Sequence, residues 1–174
     1  YPTTRSTTGT GLSVTFGFDT SLGANVRDRS TSVGPSLAGM GFTNFGTTRT
    51  LRIDLPSSGV WELRAAFGDA TSGASIEYDI LDSDGSTVLV SRVYSGTPIA
   101  AGEFYDASNV IRTNAADWDS NNAPINVTLA GSSVYFRLGG ANSGCKVATI
   151  QLYQASSGPT VTSVTQTSGG TEGS

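Results

Sequence analysis

Residues 49 to 69 read RTLRIDLPSSGVWELRAAFGD. Leu51, Ile53 and Leu55 alternate with polar residues, Pro56 to Gly59 offer a turn, and Trp61, Leu63, Ala65 and Phe67 alternate again. Alternation with a period of two buries one face of a sheet and leaves the other wet, so the stretch predicts two half-buried strands joined as a tight hairpin. Its polar face reads as plain scaffold. Only the exit, Gly68-Asp69-Ala70, points to a loop that touches a partner.

The same period recurs on both sides. Leu12, Val14, Phe16 and Phe18 give an earlier strand, and Ile76, Tyr78 and Ile80 lead into LDSDGST. The Asp84-Gly85 pair there predicts a hairpin, because both central residues of the favoured turn take positive φ. Val88 and Val90, with Leu89 and Val93 in the opposite phase, make a returning strand with both faces covered. Ile125, Val127 and Leu129, then Val134, Phe136 and Leu138, then Ala148, Ile150 and Leu152 complete the set. The count is eight strands or slightly more, with no helical period. The expected fold is an all-β antiparallel β-sandwich of jelly-roll type.

Two long segments interrupt the pattern. Asp19 to Thr48 is rich in Gly and Ser and carries Leu37, Met40, Phe42 and Phe45. It is either a binding loop or hides a short strand or helical turn, and Met40, Phe42 and Phe45 serve equally well as an apolar plug for the open end of a sandwich. Residues 95–123 form the second segment. At the ends, 1–10 read as a polar connector, 11–155 as the sandwich, and 156–174 as a linker. Within that linker PTVTSV and the following TSGG resemble the first strand and turn of immunoglobulin-like IPT/TIG domains. The chain begins at Tyr1 without Met, as a piece of a larger multidomain protein would.

With 174 residues, such a chain buries roughly 70% of its unfolded surface in one domain. Charged residues make only 14% of the sequence, and Ser, Thr, Gly and Asn fill the difference, a surface commoner outside the cell or on a virion than in cytoplasm. The net charge of −4, without a basic run, argues against nucleic acid. No apolar stretch approaches the roughly 20 residues of a membrane span, and none reads as a signal peptide. There is no His, which removes the commonest general base and transition-metal ligand. Cys145, the single Cys, sits in a strand pattern and reads as a core residue rather than a nucleophile.

Ten Asp and four Glu make some carboxylate pair inevitable, with Glu62, Glu77, Asp69, Glu103 and Asp106 all conceivable acids, yet no hydrolase motif selects one. The expectation is therefore a non-enzyme. Asp82-Ser83-Asp84-Gly85 has two alternate carboxylates of a calcium loop but lacks the remaining ligands. Asp117, Asp119 and Asn121 are better spaced as calcium ligands, although no Gly follows at the sixth place; no other cofactor is expected. Sugar chemistry fits best. Aromatic rings stack on pyranose faces while Asp, Asn and Arg bond the hydroxyls. The segment from Phe104 to Asn122 concentrates those types, and Tyr105, Asp106, Arg112, Asp117, Trp118, Asp119 and Asn121 are the expected ligand-binding residues. The alternative is that Trp118 caps the core while the carboxylates hold their own loop. Asn126-Val127-Thr128 also matches an N-glycosylation acceptor, within a strand pattern.

NVRDRSTSVGPSLAGM, TLRIDLPSSGVWELRAAFGDA, GEFYDAS, VYFRLGG and VATIQLYQA together resemble a β-sandwich module of bacteriophage tail-fibre and other virion surface proteins, over residues 12–155. The RIDLP-x-x-G-x-W core is similar to malectin-like and carbohydrate-binding jelly rolls attached to secreted polysaccharide-degrading enzymes. The resemblance implies a non-catalytic module that contacts glycan or a neighbouring virion subunit. It carries no ligand residue over position by position.

Overall fold

The computed structural model describes residues 15–19, 26–28, 39–43, 46–69, 71–113, 124–141 and 143–155, with the backbone alone for 26–28 and 39–43. The connector at 1–10, Phe45, Asp117, Trp118, Asp119, Asn121 and the 156–174 segment lie outside the described residues, as do the side chains of Met40 and Phe42. The strands are β1 (Thr15–Phe18), β2 (Val26–Asp28), β3 (Gly39–Thr43), β4 (Arg49–Asp54), β5 (Gly59–Gly68), β6 (Tyr78–Leu81), β7 (Val88–Arg92), β8 (Phe104–Tyr105), β9 (Ile111–Arg112), β10 (Ile125–Leu129), β11 (Ser133–Leu138) and β12 (Cys145–Gln154). They form two antiparallel sheets. The first runs β1-β4-β11-β6-β7; the second runs β2-β3-β12-β5-β8-β9, with β10 beside β5. The fold is an all-β antiparallel sandwich, as expected, and the strands beyond eight are the short β2, β3, β8 and β9 contained in the two long segments.

The central expectation about 49–69 is corrected. β4 and β5 do not pair with each other: β4 pairs with β1 and β11, while β5 pairs with β12, β10 and β8. The Pro56–Gly59 turn carries the chain from one sheet to the other. β10 and β11 are split in the same way. Two strands that each bury one face satisfy the alternating pattern whether they lie side by side or face each other across the core.

From β4 come Leu51 and Ile53, and from β5 Trp61, Leu63, Ala65 and Phe67, all buried. They meet Tyr78 and Ile80 of β6 and Val134, Phe136 and Leu138 of β11. The Phe67 and Tyr78 rings stack across the sheets with centroids 3.8 Å apart. Trp61 Nε1 donates to the Ser57 carbonyl (3.2 Å), which ties the crossing turn to the core edge. Cys145 is buried, and burial pushes its thiol pKa up, as befits a core residue.

β6 and β7 do form the hairpin that Asp84-Gly85 announces. Only Gly85 takes positive φ, at 69°. Asp84 instead uses its carboxylate, accepting the Ser86 and Thr87 amides (both 2.8 Å) and the Thr87 hydroxyl (2.6 Å). The returning strand is not covered on both faces: β7 is an edge, and Val88 and Val93 are 50% and 71% exposed. No helix among the described residues is long and apolar enough to cross a membrane.

Candidate functional site

The outward positions of the first sheet assemble a polar and aromatic surface. Register sets Gly17 beside Arg52 and Arg52 beside Tyr135, and in the next row Thr15 beside Asp54 and Asp54 beside Ser133. Because Gly17 has no side chain, the row ends in a gap beyond Arg52. A pocket of about 370 Å3 opens there, lined by residues 15–19 with Thr50, Arg52, Asp54 and Tyr135. That volume lies within the range of small-molecule sites.

Arg52 Nε donates to Asp54 Oδ1 (2.7 Å), and the Ser133 hydroxyl donates to the same oxygen (2.8 Å). The bond to Asp54 raises the Arg52 pKa above its ordinary value, so the guanidinium stays charged. Its carbon stands 5.6 Å from the centre of the Tyr135 ring, within cation–π reach. On the other flank of β11, Gly85 lies so close that an added Cβ would stand 3.8 Å from the same ring. Tyr135 is thus held between the β6–β7 turn and Arg52. Asp54 Oδ2, Arg52 Nη1 and the Tyr135 hydroxyl have no partner among the described residues. These are one acceptor, one donor and one group that does both, gathered on one side of the sheet.

The expected ligand residues that the structure describes lie elsewhere, at the β7 edge. Asp106 is 1% exposed and accepts the Ser108 and Val110 amides (2.8 and 3.0 Å) and Arg112 Nε (2.8 Å). Its carboxylate holds its own loop. Tyr105 is 7% exposed, with the Arg92 guanidinium 3.8 Å over its ring and bonded to its hydroxyl. Arg112, whose side chain is 25% exposed, is the most accessible of the three. Asn109 closes this loop at φ 63°; it accepts the Tyr78 hydroxyl (2.6 Å) and donates to the Ser91 carbonyl (2.9 Å). Asp117, Trp118, Asp119 and Asn121 belong to the undescribed part of the same segment.

Asp69, the exit of β5, is buried rather than facing a partner. It accepts the Thr71 amide (3.0 Å), the Ser72 hydroxyl (2.7 Å) and Lys146 Nζ (3.0 Å). Asp82 likewise accepts the Ser83 and Ala130 amides (2.6 and 2.9 Å), chiefly the former of which lowers its pKa. Glu77 accepts the Ser143 hydroxyl (2.6 Å). Among the described residues no three His, Cys, Asp or Glu side chains converge as metal ligands.

Arg52, Asp54, Ser133 and Tyr135 were not among the expected site residues. Each is the outward residue of an alternating strand, so the sequence presents them as ordinary solvated positions. Only the register across strands distant in sequence brings them together.

No protein-family model matches the chain. No curated protein matches it either. Among solved structures, the family 32 CBM of C. perfringens NanJ, in complex with galactose, is 14% identical, with 81% of this chain and 93% of that chain covered and a TM-score of 0.42. CBM35 from Paenibacillus barcinonensis is 12% identical, with 89% and 98% covered and a TM-score of 0.39. The enzymatically active domain of bacteriophage CBA120 tailspike protein 4 is 10% identical, with 81% of this chain and 17% of that one covered and a TM-score of 0.30. The sandwich rests on this chain's own strand pairing.

Proposed function

We propose that this chain is a non-catalytic glycan-binding module that works outside the cell or on a virion surface. The observation that carries the reading is the Arg52–Asp54–Tyr135 pocket. Tyr135, whose ring is flanked by Arg52 and the β6–β7 turn, offers the pocket its ring edge and hydroxyl for contact with a sugar. Arg52 Nη1 donates to one sugar hydroxyl, and Asp54 Oδ2 accepts from another. Binding of this kind needs no reacting group.

The test is a glycan array with wild type and Tyr135→Ala. Wild type gives a sugar signal, and the variant weakens it about tenfold or more, the loss expected when a central aromatic contact is removed. A folded wild type without any signal overturns the reading. A signal that survives Tyr135→Ala and disappears with Trp118→Ala moves the site to the 104–122 segment.

A second reading is docking on a neighbouring virion or surface subunit, and edge strand β7 favours it. Val88 and Val93 are exposed there beside backbone groups that lack a strand partner among the described residues. A chain that stays monomeric at millimolar concentration and never joins a particle or filament of its source speaks against it.

A further inference from the structure

We propose that the binding surface does not end at the pocket but continues across the whole first sheet, with a second sugar subsite at Arg137, Asp79 and Ser91, so that the ligand is a neutral oligosaccharide lying across the strands. The inference rests on the glycan reading above and goes on to name the ligand's length, direction and charge.

The starting observation is a single cross-strand row. The Asp19 amide donates to the Thr50 carbonyl (2.8 Å), Thr50 pairs with Arg137, Arg137 with Asp79, and Asp79 with Ser91. Asp19 and Thr50 line the pocket, and Ser91 lies on the opposite edge strand, β7. At about 4.8 Å per strand the row covers about 19 Å, far more than one pyranose ring needs. All of its residues point outward from the same face.

The far end repeats the chemistry of the pocket. Arg137 donates through Nε and Nη2 to Asp79 Oδ2 (2.9 and 2.6 Å), and the Ser91 hydroxyl donates to Asp79 Oδ1 (2.5 Å). An arginine, an aspartate and a serine therefore stand on each side of Tyr135, drawn in both cases from adjacent strands. Arg137 keeps 44% of its side chain exposed, and its Nη1 has no partner among the described residues. A lone surface ion pair is usually only a solvated contact. Two matching units in register with one pocket and one aromatic ring form a track.

Charge selects the class of chain. Arg52 is matched by Asp54 and Arg137 by Asp79, and Asp19 adds a further carboxylate at the pocket. Within these two units, among the described residues, each guanidinium is already matched by a carboxylate, which disfavours a uronate or sulfate there. Hydroxyl groups, which both donate and accept, fit paired Arg and Asp side chains without displacing either.

The experiment is calorimetric titration with neutral gluco-, galacto- and manno-oligosaccharides of one, three and six residues, and with a polyuronate, on wild type, Arg137→Ala, Ser91→Ala and Arg52→Ala. Wild type binds the three-residue chain at least about tenfold more tightly than the single sugar. Arg137→Ala and Ser91→Ala keep the affinity for the single sugar and lose that gain, while Arg52→Ala weakens every length. Ser91 is on an edge strand and exposed, so its variant keeps the fold. Equal affinity for one and six residues, or a gain that survives both variants, overturns the second subsite and leaves the pocket standing. Tighter binding of the polyuronate overturns the neutral class. Failure of every sugar to bind overturns the pocket as well.

Discussion

Asp106 shows what a carboxylate does in this molecule when it is not at the surface. Its two oxygens satisfy two backbone amides and the Arg112 guanidinium from a position that is 1% exposed. Asp106→Ala leaves those donors without an acceptor. The cost is about 3 kcal/mol, at the lower end of a broken buried pair because Arg112 is partly solvated, and the melting temperature falls by about 10 °C. Thermal unfolding followed by circular dichroism checks it; an unchanged melting temperature contradicts the role. Asp84 is the exposed counterpart. The Thr87 hydroxyl, with the Thr87 and Ser86 amides, holds its carboxyl well below the usual carboxylate range. A lowered folded pKa gives stability that is complete above the unfolded value of about 3.9 and is lost as pH falls through the folded value. The stability difference between wild type and Asp84→Ala is therefore constant above about pH 5 and shrinks below pH 4. A difference that grows on acidification contradicts it.

At the scale of elements, β5 joins both halves of the second sheet, with β12 on one side and β10 and β8 end to end on the other. Gly68 lets β8 approach. A Cβ there would clash with the Glu103 carbonyl and stand 2.8 Å from Phe104 Cα, and both obstacles are backbone. Gly68→Ala therefore loosens the β5–β8 pairing at a cost of about 2 kcal/mol, and hydrogen exchange speeds up at Phe104 and Tyr105 before it does in β11. Unchanged exchange at both positions contradicts this. The long strands were legible in the sequence because each buries one face: Leu51 and Ile53, then Trp61, Leu63, Ala65 and Phe67, then Val134, Phe136 and Leu138 all lie in the core. The assignment of strands to sheets was not legible. Alternation reports that a face is covered but not what covers it, so 49–69 read as a hairpin when it is a crossing between sheets. The strands of two or three residues, β2, β8 and β9, are too short to show any period.

At the scale of the whole molecule, two sheets share one core, and the outer face of the first carries the pocket. On the outer face of the first sheet Tyr135 stands between two Arg–Asp–Ser units. Very little of that was visible beforehand. Arg52 and Asp54 sit in the stretch whose polar face read as plain scaffold, and Tyr135 and Ser133 lie some 80 residues further along the chain. Composition favoured the 104–122 segment because sugar-binding residue types are adjacent in sequence there, whereas the sheet gathers the same types through register. The most direct test of the pocket is to map backbone amide NMR shifts of the intact chain as a bound sugar from the array is titrated in. The perturbed amides are expected on residues 15–19, 49–54 and 133–137; shifts confined to residues 104–123, with those three strands unmoved, overturn the pocket.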